Sequence, residues 1–234
     1  MAADSDENPF SAEGFRRRAL ERGYDLGLAS WMAAQPPSYG IDAGRGINAD
    51  GTPNEHLRLE RVVPASGWRL AAVLVPVIAR EPEATVLFTL RTTALSSHGG
   101  QIAFPGGKVD AADPTPVDAA VREAREEVGM PPSLVTPLSL LDMHNTGTGF
   151  RIVPVTALVE PAFVPVPHPG EVQDVFEVPL SFLMTETNHV LQSRDYKGAR
   201  MLFYAMQWEA RYIWGATAAI VRNLYERLYA PEMG

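Results

Sequence analysis

The sequence predicts an α/β domain behind an N-terminal arm. Three observations carry this. Short valine-rich apolar runs recur between turn residues, two stretches space apolar residues at helical intervals, and both kinds of segment alternate along the chain. Residues 70–79 and 85–91 read as strands, with Pro82 in the turn between them. Residues 138–143, 152–160, 172–178 and 200–208 read as further strands. Residues 216–229 read as a closing amphipathic helix, with Ile220, Leu224 and Leu228 in phase. Trp208 and Trp214 are expected as core or pocket walls.

The division is expected at residues 66 and 67. Residues 1–66 form the arm and residues 67–234 the domain. The arm has an acidic, disordered start over residues 1–8. Ser11 can cap a helix over residues 12–22, with Phe15, Ala19 and Leu20 inward. Arg16, Arg17 and Arg18 read as a solvated helix face. Residues 35–54, rich in Gly, Pro, Asp and Asn, read as a long loop or linker. The sequence leaves open whether this arm packs on its own domain or on the partner of a homodimer.

The most informative run begins at Gly106-Gly107-Lys108-Val109-Asp110. It continues through Asp113 to Arg122-Glu123-Ala124-Arg125-Glu126-Glu127-Val128-Gly129. A helix is expected over residues 116–128, because Thr115 can cap it, Pro116 suits its first position and Gly129 suits a left-handed stop. Asp118 stands where a capping-box acid would. At about 100° per residue, Val117, Ala120, Val121, Ala124 and Val128 share one face. Glu123, Glu126 and Glu127 share an adjacent face.

Three like charges within one turn repel, each i, i+4 pair by about 0.2–0.5 kcal/mol even when exposed. Arg122 and Arg125 offset part of this, and Asp118 can pair with Arg122. A divalent cation bound to phosphate would offset more. Hard carboxylate oxygens suit Mg2+ or Mn2+, and magnesium prefers to share its shell with substrate phosphates. The glycine turn lets a backbone carbonyl join that shell. Charged stretches of this kind are common on solvated helices. What sets this one apart is the preceding Phe104-Pro105-Gly106-Gly107 and the spacing to Asp113.

Gly107, Asp113, Arg122-Glu123, Glu126-Glu127 and Gly129 resemble the Nudix box. Asp113 stands where glutamate is usual, eight residues rather than seven separate it from Arg122, and Ala124 replaces a larger aliphatic residue. These departures look like those of the coenzyme A pyrophosphatase branch. So does an upstream signature, Leu87-Phe88-Thr89-Leu90-Arg91-Thr92 followed by Leu95-Ser96-Ser97-His98-Gly99-Gly100-Gln101-Ile102-Ala103-Phe104-Pro105-Gly106-Gly107. The likeness extends over residues 68–229.

The resemblance implies an α/β/α sandwich with a mixed central sheet and a loop-helix-loop Nudix box. It implies that Glu123, Glu126 and Glu127 bind metal together with the Gly107 carbonyl. Arg122 is implied to be structural, pairing with Asp113 or a box glutamate. The implied reaction hydrolyses the diphosphate of coenzyme A or acyl-coenzyme A to 3′,5′-ADP and (acyl-)4′-phosphopantetheine. The base could be Glu126, or Glu171 beyond a Pro-rich loop. Arg91, His98, Gln101 and Lys108 are the polar candidates for substrate contact, with an Arg or Lys on the 3′-phosphate. His98 and Gln101 could equally brace the loop before the box.

Two rival readings have their own signals. A pyrophosphatase for ADP-ribose, dinucleotides or nucleoside triphosphates would not need the upstream signature. A sensor that binds a nucleotide without hydrolysing it would be expected to lose box glutamates, and all three are here.

Composition narrows the rest. A formal charge of −8 is a poor match to a nucleic-acid binder, which usually shows a basic excess. The expected partner is a small nucleotide diphosphate. With no cysteine, disulfides, thiolate nucleophiles and cysteine-bound metals are excluded. That agrees with a reducing compartment, and the cytoplasm is the expected location. No apolar run is long enough to cross a membrane, and no signal peptide is expected. His56, His144, His168 and His189 are not spaced as a zinc pair.

Overall fold

The computed structural model describes residues 8–35, 41–42, 67–93, 99–146, 148–196 and 199–231. The acidic start, most of residues 35–54, and His56 and His98 lie outside these.

The central sheet is mixed. Strand β2 (Arg69–Ile78) runs parallel to β8 (Phe150–Val159) over its whole length. One end of β2 pairs antiparallel with β3 (Thr85–Arg91), the other with β5 (Gly106–Lys108). On its other edge β3 carries β9 (Val172–Pro179), and its end carries β4 (Ile102–Ala103). Strand β8 carries β6 (Val135–Leu140) and β7 (His144–Asn145), and β1 (Ile41–Asp42) adds to β7. A separate antiparallel sheet holds β10 (Val190–Tyr196), β11 (Ala199–Trp208) and β12 (Arg211–Trp214).

Strand alternation splits the core into two. On one side, Val75, Val77, Val86 and Phe88 meet α1 (Ala12–Arg22), the short α4 (Leu180–Leu183) and α5 (Ala216–Leu228). On the other, Ala72, Leu74, Ile78 and Leu87 meet α2 (Ala29–Ala34) and α3 (Pro116–Val128). The layers are therefore α/β/α, as the resemblance implied. Helices α1 and α2 of the expected arm pack into the same cores as the sheet.

Several expectations change in the folded chain. The first helix has the expected bounds and the Ser11 cap, but Leu20 is exposed. Phe15 and Ala19 lie i, i+4 on the buried stripe, and Leu20 lies about 100° past Ala19. Arg18 is not simply solvated. Its guanidinium lies over the Tyr229 ring and donates to the Leu228 carbonyl, tying α1 to α5. Residues 29–34, just before the expected linker, form α2, and Ile41–Asp42 within it form β1. The strand expected at residues 138–143 starts earlier, at Val135. Strands β4, β5, β10 and β12 had no sequence signal strong enough to name them. Trp208 packs on Phe182 and Trp214 on Phe203.

One polar node ties the sheet to the Pro-rich loop. The Arg80 guanidinium donates to Glu177 on β9 (Nη2–Oε1 2.7 Å), and to the carbonyls of Pro161 and Phe163. The Thr85 hydroxyl donates to the same carboxylate. Burial pushes Glu177 up, but the Arg80 and Thr85 hydrogen bonds and the Arg80 charge outweigh it, so its pKa sits below the ordinary value. A depressed carboxylate stabilises the fold fully above its unfolded pKa of about 4.3, and that stability is lost as pH falls through the folded value. Glu177→Gln is therefore expected to lower unfolding free energy by about 1–3 kcal/mol at pH 7. In urea melts at several pH values, the gap from wild type should narrow as pH falls below about 4.

Candidate active site

Helix α3 and the β5 strand build the site. All three helix-end signals act as expected. The Thr115 hydroxyl accepts from the Asp118 amide, Pro116 opens the helix, and Gly129 closes it in the left-handed region at φ 66°. The Asp118 carboxylate does not pair with Arg122. It accepts a hydrogen bond from the Thr115 hydroxyl at 2.6 Å, turned toward its own cap. The buried stripe is Ala120, Ala124 and Val128, joined by Ala119 and Glu127. Val117 and Val121 are only half-buried, lining a shallow cleft with Pro132 and Pro137. The glutamates are thus not equivalent. Glu126 is 59% exposed, Glu123 15% and Glu127 2%.

Arg122 organises the first acidic group. Its Nε and Nη2 donate to the two oxygens of Asp113, each at 2.9 Å. Its Nη1 lies 3.0 Å from both Glu123 Oε1 and Glu126 Oε2, and its Nη2 also donates to the Lys108 carbonyl. The Arg122 hydrogen bonds hold Asp113 below the usual carboxylate range, and Asp113 raises Arg122 in turn. A bidentate arginine–carboxylate pair of this kind is geometrically exacting.

Glu123 and Glu127 face the other way electrostatically. Burial pushes Glu123 up. Arg122 opposes that, and the charges of Glu126 and Glu171 add to it. Burial pushes Glu127 up to about 7, against the charge of Arg91 and a hydrogen bond from the Gly106 amide. Arg91 Nη1 lies 3.1 Å from Glu127 Oε1. Glu171, exposed at the end of the Pro-rich loop, is close enough to raise both Glu123 and Glu127.

Gly107 has a steric reason. A Cβ there would meet the end of the Glu123 side chain, so glycine leaves that carboxylate its place against the strand. Gln101 places its carbonyl on the Arg91 amide at 3.0 Å. Lys108 is exposed, and it meets the cluster through its carbonyl, which accepts from Arg122. His98 lies outside the described residues. The other described histidines stand apart: His144 and His189 are buried, and His168 enters through its backbone.

The structure thus brings together Glu123, Glu126, Glu127, Glu171, Arg91, Arg122, Asp113 and the Gly106–Gly107 backbone. Sequence reasoning missed the Arg91–Glu127 pair and the Gly106 amide bonded to Glu127. Arg91 and Glu127 are 36 residues apart, and no local pattern marks such a pair.

A NUDIX-domain model matches residues 68–196. The chain belongs to the Nudix family. It is 39% identical over 161 residues to the uncharacterised Nudix hydrolase NudL of Yersinia pestis (strain Pestoides F), covering 68% of this chain and 80% of that one. The NudL of Yersinia pseudotuberculosis serotype O:1b matches equally. Among solved structures, the Nudix hydrolase RenU of M. smegmatis is 25% identical over 47% of this chain and 70% of its own, with a TM-score of 0.40. DR0079 of Deinococcus radiodurans is 15% identical over 80% of this chain and 99% of its own, with a TM-score of 0.46. Membership makes hydrolysis of a nucleotide-derived diphosphate the chemistry, and the run from Gly107 to Gly129 lies within the matched residues.

Gly107→Ala tests the close approach of β5 to α3. The added methyl displaces the end of a side chain rather than backbone, so the melting temperature should fall by no more than about 3 °C. Hydrolysis should drop by about 10–100-fold as the Glu123 carboxylate moves. Thermal melts beside chromatographic measurement of substrate loss and product formation check both.

Proposed function

We propose that this Nudix hydrolase cleaves the diphosphate of coenzyme A and acyl-coenzyme A, yielding 3′,5′-ADP and (acyl-)4′-phosphopantetheine. The observation that carries the reading is the upstream signature, residues 87–92 and 95–107, which leads without a break into the box. Its described residues Arg91, Gln101, Gly106 and Gly107 stand at the acid cluster rather than elsewhere on the sheet.

Among the described residues, no three carboxylates or imidazoles already converge as a metal cage. Arg122 draws Glu123 and Glu126 to one nitrogen, and Arg91 holds Glu127. The donor chemistry nonetheless fits Mg2+ or Mn2+. All the donors are hard oxygens, and Glu123 and Glu127 are raised first by burial and then by neighbouring negative charge that a cation would offset. Glu123, Glu126, Glu127 and the Gly107 carbonyl would hold the ion. Bound there, it would neutralise phosphate oxygens and lower the pKa of attacking water.

The chain's own groups supply the rest. Glu171 carries no ion pair among the described residues, whereas Glu126 is held by Arg122, so Glu171 is the better placed to take the proton of the attacking water. Lys108, exposed beside the box, offers a cation to a substrate phosphate. Arg122 and Asp113 fix the turn that presents the Gly107 carbonyl.

Product analysis with coenzyme A, ADP-ribose and NADH, each with and without magnesium or manganese, tests the reading. Metal-dependent release of 3′,5′-ADP well above turnover of the other two is expected. Preference for ADP-ribose or NADH would keep the Nudix chemistry and discard coenzyme A as substrate. Binding without turnover would make the domain a nucleotide sensor.

Glu127→Gln keeps the side-chain shape. It should reduce turnover by at least about 100-fold while circular dichroism and melting temperature stay near wild type. Wild-type turnover would remove Glu127 from the metal set.

A further inference from the structure

The end of β3, the Pro-rich loop and the end of α3 close into a ring of hydrogen bonds. Arg91 Nη1 meets Glu127 Oε1 at 3.1 Å. The next residue, Thr92, donates its amide to the Glu171 carbonyl at 2.9 Å. The Glu171 amide donates to the His168 carbonyl at 3.0 Å, and the His168 amide to the Glu127 carbonyl at 2.8 Å, which returns to the starting residue. A further bond from the Val166 amide to the Val128 carbonyl at 2.9 Å runs alongside, on the last turn of the helix. Here the loop satisfies carbonyls that a helix end leaves without intrahelical partners.

Strand β3 meets an irregularity of its partner β9 here. Along β9 its pairing runs in step from Thr85 to Leu90, then shifts. Leu90 faces Asp174 but Arg91 faces Val172, leaving Gln173 as an extra residue in the ladder. The bulge is therefore on β9, the strand that leads out of the loop bearing Glu171, and bulges concentrate beside functional sites. The Arg91 backbone is pinned on its other edge too, its amide donating to the Gln101 carbonyl and its carbonyl accepting from the Gly100 amide. Both backbone polar groups of Arg91 are thus hydrogen-bonded, and its guanidinium ends on a carboxylate that is 2% exposed.

We infer that Arg91 is a positioning residue, which holds Glu127 and ties the loop bearing Glu171 to the box helix, rather than the cation that binds the substrate 3′-phosphate. The inference rests on the Nudix diphosphate chemistry of this site but not on coenzyme A as its substrate. Arg91 acts through Glu127 and Glu171, and it sets their separation from each other. A side chain doing this affects the reaction step whichever nucleotide is bound.

The test uses Arg91→Ala and Arg91→Lys in the full chain. On whichever substrate the wild type turns over, Arg91→Ala should lower kcat by about 10–100-fold with KM changed less than about 3-fold. Coenzyme A and its 3′-dephospho form, if turned over, should lose equally. Lysine can still supply one charged donor to Oε1, so Arg91→Lys should recover to within about 10-fold of wild type. Hydrogen exchange of the protein alone, with neither metal nor substrate, gives a readout independent of activity. In Arg91→Ala, peptides spanning residues 104–108 and 163–172 should exchange faster, while those of β11 and α5 keep their protection. A loss confined to KM and to the 3′-phosphorylated substrate would overturn the inference. So would unchanged exchange at both segments. If the wild type instead prefers ADP-ribose, the substrate reading fails while the kcat split and the exchange data still decide the role of Arg91.

Discussion

Repulsion among carboxylates is the constraint around which this domain is arranged. Glu123, Glu126 and Glu127 occupy little more than one helical turn, Glu171 is brought against them, and two of the four are largely removed from water. Each buried carboxylate would be strongly unfavourable alone. Two arginines answer this in different ways. Arg122 is a hub on the rim, with Asp113 as its bidentate anchor and Glu123 and Glu126 sharing one nitrogen. Arg91 reaches from a different strand to the most buried acid. Removing either arginine would leave a carboxylate uncompensated, a larger loss than a surface ion pair represents.

The sheet makes both arrangements achievable. Strand β2 pairs along its length with β8, and its two ends pair with different strands, β3 and β5. Strand β5 therefore passes close to the Glu123 side chain, where glycine at position 107 leaves room for the carboxylate, and the Gly106 amide reaches Glu127. Strand β3 leaves the same sheet in the direction that brings Arg91 to the same carboxylate. A rigid two-sided core beneath, with Leu74 and Ile78 on one face and Val75 and Val77 on the other, resists any shift that would loosen these contacts.

Local chemistry was legible in the sequence where one segment carried its own instructions. Helix α3 runs between the expected residues because Thr115, Pro116 and Gly129 specify both ends without reference to the rest of the fold. Helix α1 and its Ser11 cap are legible for the same reason. Strands β2, β8 and β9 were legible through their valine content. What stayed hidden was set by partners distant in sequence. The two- and three-residue strands β4 and β5 exist because β3 and β2 pair with them, not because two or three residues prefer that state. Arg18 looked like a solvated charge until Tyr229 supplied a ring for it. Leu20 looked inward on hydrophobicity alone, but the neighbouring helix covers only the Phe15–Ala19 stripe. In the site, the motif named the acids, whereas the cation that each acid uses is a property of the fold.

That difference bears on how an acid cluster becomes catalytic. A motif can place three glutamates on a helix, but it cannot make them unequal. Inequality here comes from depth and from partners. Glu126 stays in solvent on Arg122, Glu123 lies against a glycine strand, and Glu127 is sealed beneath Arg91 with a backbone amide. Environments this different separate otherwise identical side chains into different tasks. The bulge opposite Leu90 and Arg91 lies on β9, where Gln173 is the extra residue, and the same strand leads back to Glu171, whose carbonyl accepts from the Thr92 amide. The box supplies the acids, and a strand and a loop distant in sequence supply the partners that make them unequal.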